Sequence, residues 1–154
     1  MFLERPSIET LVQAAAGLKR SDDDVICILL GEKSSALVPR MINGLNQRRI
    51  VFFGGTFPGV VTAQGRSDDG AVLLALPSLA PPLLFQDLSS VDEHGSELMA
   101  IRNSLEKQYT ALVLVDGLTS NISLFLRELF HALGNSVTYL GGGAGSLSLV
   151  QRPC

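Results

Sequence analysis

The chain has 154 residues, of which 46% are apolar and 18% charged, and its formal net charge is −3 at pH 7. This composition is typical of one globular domain with a sizeable core. Its few scattered positive charges cannot neutralise many phosphates, which excludes nucleic acid as an expected partner. No apolar run approaches the roughly 20 residues that cross a bilayer, and the N-terminus lacks the pattern of a signal peptide. We expect a cytoplasmic protein that does not contact a membrane.

The first half of the chain alternates between predicted helices and strands. Apolar residues at helical spacing predict a helix over about residues 8–19, and the apolar run Val25–Leu30 predicts a buried strand. A second helix is expected to end around Gln47. Pro39 would remove a hydrogen bond inside that helix, so we expect residues 34–38 to form an irregular lead-in.

A strand and a hairpin are predicted before the middle of the chain. Ile50–Phe53 is the next apolar strand, and it leads into the glycine-rich segment Gly54–Gly59. Val60–Ala63 and Ala71–Leu76 flank a loop rich in glycine and aspartate. That pattern predicts a hairpin that adds antiparallel strands to the sheet.

The second half begins with a weaker pattern. Residues 83–91 have no clear period, and a third helix is predicted over residues 93–107. Ala111–Val115 is a continuous apolar run that ends at the turn Asp116-Gly117. Such a run is typical of a strand that is buried on both faces.

The fourth helix has the clearest pattern. Apolar residues recur at three- and four-residue spacing over 122–133, the residues Thr119–Asn121 can each cap its start, and Gly134 can end it in a left-handed conformation. The apolar strand Val137–Leu140 then runs into the glycine loop Gly141–Ser146.

The order strand, helix, strand has a geometric consequence. Two strands joined through a helix lie parallel in one sheet, with a right-handed crossover. The Asp116-Gly117 turn and the glycine loops therefore lie at the carboxyl ends of strands, which is the edge where open α/β sheets bind ligands. We predict a mixed, partly parallel sheet with flanking helices, in a single α/β domain over residues 1–154.

The two halves of the chain resemble each other. Val25–Gly59 aligns with Ala111–Gly145, so that the glycine pair at 54–55 falls on the pair at 141–142. This predicts two related units of helix, strand, helix, strand and hairpin, although the general likeness of α/β chains is an alternative explanation. The second unit ends before its hairpin is complete. We expect residues 147–152 to pair with another chain, as in a homo-oligomer, or to be poorly ordered.

The glycine segments are the leading candidates for a ligand site, because successive glycine amides can face an anion. The segment GGGAGS matches neither the dinucleotide-binding fingerprint nor the Walker loop. Two explanations of these glycines remain open: tight packing at a strand end, and a small polar ligand that is held by backbone amides. Asp116 could bind an ammonium group, although Asp-Gly is also a common turn dipeptide. The candidate ligand-binding residues are Gly54, Gly55, Thr56, Asp116, Gly117, Gly141, Gly142, Gly143, Gly145 and Ser146.

No motif in the sequence supports catalysis, a metal site or a cofactor. His94 and His131 stand alone, and we expect both at the solvated surface. Cys27 lies within an apolar run, where a small buried hydrophobe is expected, and Cys154 is the last residue. Two cysteines make no disulfide framework.

Two stretches resemble a known family. The run from Leu114 to Cys154, with its Asp-Gly turn, helix and GGGAG segment, is similar to the N-terminal half of the FIST sensory domain. VFFGGTFPGVV at Val51–Val61 is similar to a glycine-bearing strand end upstream in the same family. The resemblance implies a signal-input module, alone or fused to histidine kinases, cyclic-dinucleotide enzymes or chemotaxis receptors. It also implies small ligands such as amino acids, a C-terminal companion region or signalling protein as partner, and no catalytic residues.

We therefore expect a non-catalytic sensor whose site joins the two glycine segments with Asp116. Backbone amides would hold a carboxylate of the ligand, and Asp116 would hold its amine. The alternatives are an enzyme that uses the glycine loop as an oxyanion or phosphate cradle, and a plain assembly domain.

Overall fold

In the computed structural model, which describes residues 1–88 and 94–147, the chain divides into two units. Unit 1 comprises Met1–Pro82 together with the chain from Ala144, and unit 2 comprises Leu83–Gly143. Each unit contains helices and paired strands, which confirms the predicted α/β class.

Unit 1 contains a mixed sheet and two helices. The sheet has the strand order β1, β6, β2, β3, and two further strands form a separate ribbon. The strands are β1 (Phe2–Leu3), β2 (Asp24–Gly31), β3 (Phe52–Phe57), β4 (Val60–Thr62), β5 (Gly65–Ser67) and β6 (Ala71–Pro77), and the helices are α1 (Ile8–Leu18) and α2 (Val38–Gln47).

Strand β2 is the centre of this sheet. It pairs in parallel with β3, so that Ile28 lies opposite Gly54, and antiparallel with β6, so that Ile28 also lies opposite Leu73. Nearly all of β2 is buried, as its continuous apolar sequence predicts. The largest fully buried side chains of the unit come from both helices and from the sheet: Leu11, Ile26, Ile28, Leu30, Leu45 and Leu73.

Both predicted helices of unit 1 are confirmed. Helix α1 begins at a capping box in which the Ser7 hydroxyl accepts the Thr10 N–H and the Thr10 hydroxyl accepts the Ser7 N–H. A 3₁₀ turn over Glu32–Leu37 leads into α2, and Pro39 lies in the first turn of that helix. There the missing N–H of proline costs no helical hydrogen bond.

The predicted hairpin between 60–63 and 71–76 is wrong. Strand β4 pairs instead with β5, because Gly65 adopts a positive φ of 118° and turns the chain back directly after Thr62. Strand β6 lies next to β2, where its alternate residues Ala71 and Leu73 are fully buried. The part of the prediction that places an antiparallel strand in the main sheet is confirmed.

Unit 2 is built from α3 (Gly95–Asn103), β7 (Tyr109–Asp116), α4 (Ile122–Leu133) and β8 (Val137–Ala144). Strands β7 and β8 pair in a two-stranded sheet. Helix α3 is shorter than the predicted 93–107, because the chain leaves the helix at Ser104, whose hydroxyl bonds back to the Ile101 carbonyl. Asn121, in a left-handed conformation with φ 67°, precedes α4, and its side chain accepts no capping hydrogen bond.

The core of unit 2 covers only one face of β7. Ala111 and Val113 pack against a cluster formed by Phe125, Leu129 and other apolar residues of α3 and α4. Leu112 between them points away from this cluster and is 43% exposed. The prediction that this strand is buried on both faces is therefore wrong.

The two histidines differ in their surroundings. His131 is exposed on α4, as expected. His94 is half-buried, so its predicted solvated position is wrong: its ring meets the edge of Phe85 at 4.5 Å, and its Nδ1 lies 2.7 Å from the Glu97 carboxylate. The ring of Phe85 therefore covers His94, although nothing near His94 in the sequence indicates this contact.

The end of the described chain lies in unit 1. The N–H of Leu147, which is exposed, donates to the Glu32 carboxylate at 3.2 Å. The remaining residues of the predicted 147–152 pairing segment, and Cys154, lie outside the described residues. Within the described part of the chain, no helix is long and apolar enough to span a bilayer.

Candidate functional site

The glycine segments lie inside strands, so their prediction as loops is wrong. Gly54 and Gly55 belong to β3, and Gly141–Gly143 belong to β8. A Cβ atom on Gly54 would overlap the carbonyl oxygen of Ile28 in the neighbouring strand. Only glycine permits so close an approach of two backbones.

The same close approach occurs in unit 2, where a Cβ atom on Gly141 would overlap the carbonyl oxygen of Val113. At these two positions the glycine serves strand packing, which was the structural alternative in the sequence. This constraint does not apply to every glycine of the two segments. A Cβ atom on Gly142 would meet no atom within 4 Å.

The glycine segment of unit 1 is packed at its C-terminal side. A Cβ atom on Gly55 would come within 3.0 Å of the Ala144 side chain. Thr56 is buried, and its carbonyl oxygen accepts the N–H of Gly145 at 2.8 Å. Ser146 is half-buried, whereas Gly54 is exposed. The main-chain carbonyl of Thr56 is therefore already engaged within unit 1.

Asp116 organises the turn at the end of β7. Its Oδ1 accepts the N–H of Leu118 at 3.0 Å, and its carbonyl oxygen accepts the N–H of Thr119 at 3.1 Å. Such an Asx turn is the structural role that aspartate commonly has before glycine. Within the described chain, the other carboxylate oxygen of Asp116 has no hydrogen-bond partner, so it can accept one more donor.

A groove of about 550 Å³ lies between α4 and the strands β7 and β8. We call it the α4–β8 groove. Its walls are apolar side chains and glycine backbone, and no charged side chain is among the described residues that line it. These residues are Val113, Val115, Gly117, Ile122, Leu126, Phe130, Tyr139, Leu140, Gly141, Gly142 and Gly143.

The α4–β8 groove is open because β8 lacks side chains where it would face α4. Tyr139 contacts Phe130 of that helix, with ring centroids 5.7 Å apart. Side chains alternate along a strand, so the next two positions on the same side are Gly141 and Gly143. Nothing from β8 then fills the space beside Leu126, which remains 45% exposed.

One end of the groove is formed by the Asp-Gly turn. A Cβ atom on Gly143 would lie 3.4 Å from the Cα of Gly117, at ordinary van der Waals distance. The turn after β7 and Gly143 of β8 therefore lie next to each other. The Asp116 carboxylate belongs to this same turn.

Unit 1 has a much smaller crevice at the corresponding place, between α2 and β3. Its volume is about 60 Å³. It is lined by the side chains of both elements and of β2, with the glycine segment at one side: Ile28, Leu30, Val38, Met41, Ile42, Phe52, Phe53, Gly54, Gly55 and Thr56. A crevice of this size cannot hold a ligand larger than a few atoms.

Comparison with known proteins identifies the family. The family model of the FIST N domain matches residues 25–152, which include most of both units. The chain belongs to the FIST N domain family. This family is associated with signal transduction and sensing. No curated protein and no solved structure matches the chain.

The predicted site residues of this FIST N domain fall into two sets. Gly117 and Gly141–Gly143 line the α4–β8 groove, with Asp116 in the adjoining turn. Gly54, Gly55 and Thr56 line the small crevice of unit 1, where Thr56 also bonds to Gly145. That the two sets form one site stays a prediction.

The side chains that form most of the groove were missed by the sequence reasoning. Ile122, Leu126 and Phe130 belong to the apolar positions that predict the fourth helix, Tyr139 and Leu140 belong to the predicted strand Val137–Leu140, and none of them was a candidate site residue. The signal that could have found them is a wide apolar helix face followed by a strand with few side chains. Such a helix has more apolar surface than its neighbouring strand can cover.

Other chemical groups of the FIST N domain have structural roles. Burial raises the pKa of the Cys27 thiol, which lies in β2, so the reactive thiolate form is suppressed. The Tyr139 hydroxyl donates to the Gly134 carbonyl at 2.8 Å, and partial burial raises its pKa. Among the described residues, no group of three or more His, Cys, Asp or Glu side chains could hold a metal ion.

Proposed function

We propose that this FIST N domain is the non-catalytic sensory domain of a signal-transduction protein, and that it binds an amino acid in the α4–β8 groove. The observation that carries the proposal is the groove itself. Its volume of about 550 Å³ lies within the range of roughly 300–1,000 Å³ common for small-molecule sites. It is concave and apolar, and it is bordered by the turn and the glycine strand that the sequence singles out.

The polar end of the groove supports an amino acid as the ligand. Asp116 has one carboxylate oxygen without a partner in the described chain, and an ammonium group is a suitable donor to it. Gly143 and Gly117 leave main-chain atoms uncovered at the same end, because neither has a side chain. Main-chain N–H groups of this kind can hold a carboxylate.

The proposed cellular setting follows from the family. We place the domain in the cytoplasm, where the ligand-bound form would act on a C-terminal companion region or a separate signalling protein. Pairing of two copies through the residues after Ser146 remains part of the proposal.

Binding can be tested with isotope-labelled protein and a panel of amino acids, nucleotides and phosphate esters. We expect amino acids to shift the amide resonances of Gly117 and Gly141–Gly143 and to raise the melting temperature. Shifts caused only by phosphate esters or nucleotides would favour the enzyme alternative. If no compound shifts these resonances, the sensor proposal is wrong and an assembly domain remains.

Two variants locate the site. Gly143→Val places a side chain against Gly117 at an ordinary contact distance, so it should fill the groove and abolish binding while the fold is retained. Thr138→Val is its control, because Thr138 lies on the same strand but does not line the groove. Binding that survives Gly143→Val would place the ligand elsewhere.

Asp116→Asn tests the contact with the amine. The amide oxygen of asparagine can still accept the Leu118 N–H, so the turn is kept while the charge is removed. We expect at least a tenfold loss of amino-acid affinity, as for a charge-assisted hydrogen bond of about 1.5–3 kcal/mol. Glu106→Gln, which removes an exposed carboxylate of unit 2, should leave the affinity unchanged.

A further inference from the structure

We infer that the α4–β8 groove selects ligands with a large apolar group, so that among amino acids the long aliphatic and aromatic ones bind and the small or polar ones do not. This inference rests on the proposed function and specifies its ligand class. The polar head of the ligand lies at the Asp116–Gly117 end, and its apolar side chain extends between α4 and β8.

The chemistry of the groove walls supports this class. Among the described residues of the lining, Tyr139 alone has a side chain with a polar atom, and its hydroxyl already donates to the Gly134 carbonyl. A polar ligand group placed between Leu126 and the glycine backbone of β8 would lose its hydrogen bonds to water, and no polar side chain there would replace them. Burial of an unpaired polar group is unfavourable, whereas burial of an apolar group is favourable.

The exposure of the walls points in the same direction. Phe130 is 55% and Leu126 45% exposed, and both belong to the α4 wall of the groove. Single exposed apolar residues are common on protein surfaces, but a contiguous group around a concave site marks a place where something apolar binds.

A small molecule fits this place better than a protein partner. The empty space lies along Gly141–Gly143, where β8 has no side chains. In unit 1, the side chains of Met41 and Thr56 line the crevice between helix and strand, which measures only about 60 Å³. A ligand side chain in unit 2 would replace such missing side chains.

The experiment is a series of amino acids that share one head group: alanine, 2-aminobutyrate, norvaline and norleucine. Their dissociation constants are measured by titration of the Gly117 and Gly141–Gly143 amide resonances. If each added methylene is buried in the groove, affinity should rise roughly fourfold per methylene. Leucine and phenylalanine should bind more tightly than serine or aspartate by a similar logic.

A variant pair ties the length dependence to the groove. Leu126→Ala removes an exposed side chain of the wall and should weaken norleucine binding by about tenfold while alanine binding changes little. Leu112→Ala is the control, because Leu112 is exposed to a similar degree and does not line the groove. Equal effects of the two variants would contradict the inference.

A parallel series of alcohols from 1-propanol to 1-hexanol separates this inference from the proposed function. If the alcohols bind with increasing affinity and the amino acids do not bind, the apolar site stands and the amino-acid proposal fails. If amino acids bind but affinity is flat or falls along their series, the apolar inference fails and the sensor proposal stands. If neither series binds, both are wrong.

Discussion

The two units share one order of elements and differ in how their crevices are filled. In unit 1, α2 follows β2 and β3 pairs with β2; in unit 2, α4 follows β7 and β8 pairs with β7. In both units a glycine of the later strand, Gly54 or Gly141, approaches a carbonyl oxygen of the earlier one. Yet the crevice between helix and strand measures about 60 Å³ in unit 1 and about 550 Å³ in unit 2. The backbone arrangement that the two units share is therefore not sufficient to create the groove. The side chains at a few positions decide its size.

A second difference lies at the ends of the first strands. In unit 1 the end of β2 is tied to the loop before β6: the Gly31 N–H donates to the Gly70 carbonyl, and the buried Ser34 hydroxyl donates to Asp69 and accepts the Gly70 N–H. In unit 2 the end of β7 has the turn at Asp116, and no comparable loop is joined to it among the described residues. Hydrogen bonds to the loop before β6 therefore cover the end of β2 in unit 1, whereas the end of β7 in unit 2 has room for a ligand.

The largest expected effect tests the shared backbone arrangement. Gly54→Ala and Gly141→Ala should each lower the free energy of unfolding by about 3 kcal/mol or more, because a methyl group would overlap a backbone oxygen that cannot move independently. Urea unfolding followed by circular dichroism measures the change. Gly142→Ala is the control, since its methyl group would meet no atom within 4 Å and should cost less than about 0.5 kcal/mol. If only one of the two glycines is sensitive, the arrangement is not equivalent in the two units.

The next effect concerns how deeply the side chains of β2 and β7 are buried. Ile28→Ala should destabilise the protein by about 3 kcal/mol, because Ile28 is almost fully buried at the centre of the unit 1 sheet. Val113→Ala, at the corresponding strand of unit 2, should cost only about 1 kcal/mol, because Val113 is half-buried beside an open groove. Equal costs in urea unfolding would indicate that the groove is closed in solution.

A smaller effect distinguishes the chain reversals after α2 and α4. Arg49 follows α2 with a φ of 54°, and Gly134 follows α4 with a φ of 60°. Residues other than glycine rarely adopt a positive φ. Arg49→Gly should therefore raise the free energy of unfolding by about 0.5–1 kcal/mol, and Gly134→Ala should lower it by a similar amount. Opposite signs in thermal unfolding support the comparison, and a loss of stability in both variants would contradict it.

The smallest expected effect is a dependence of stability on pH at the start of β2. The Arg20 N–H, which donates to the Asp24 carboxylate at 2.8 Å, is the main cause that lowers the pKa of this carboxyl below its ordinary value of 3.8. The charge of the Arg20 guanidinium lowers it further, whereas desolvation opposes the shift. A lowered pKa in the folded state adds stability above the unfolded pKa, and this stability is lost as pH falls through the folded pKa.

Comparison of the native protein with Asp24→Asn isolates this contribution. The difference in unfolding free energy should be constant at neutral pH and should shrink below about pH 4, where the carboxyl of the unfolded chain becomes protonated while that of the folded protein is still ionised. A difference that grows on acidification would contradict the assignment. Asp22→Asn is the control, because its side chain is fully exposed.

Most elements could be predicted from local patterns, because local interactions determine them. The spacing of apolar residues, the position of Pro39 and the stop at Gly134 define helices without reference to the rest of the chain. The run Val25–Leu30 likewise indicates a strand that later proves to be central. The parallel pair of β2 and β3 follows from the helix between them.

The errors arise where the outcome depends on distant partners. Glycine favours loops when it is considered alone, but Gly54 and Gly141 are in strands because a neighbouring backbone passes too close for any side chain. The partner of Ala71–Pro77 is β2, which lies far away in sequence, so a search for a nearby hairpin partner fails. The groove beside Leu126 depends on which part of an amphipathic face remains uncovered, and periodicity does not show this.

The buried thiol of Cys27 can report on the opening of unit 1. Because this sulfur lies within the central strand and is rarely ionised there, an alkylating reagent reacts with it mainly when that strand separates from its neighbours. In a Cys154→Ser background, the labelling time of the single thiol reports how often one half of the protein opens. A change in the labelling rate of Cys27 when a compound binds to unit 2 would then show that ligand binding in unit 2 is coupled to the stability of unit 1.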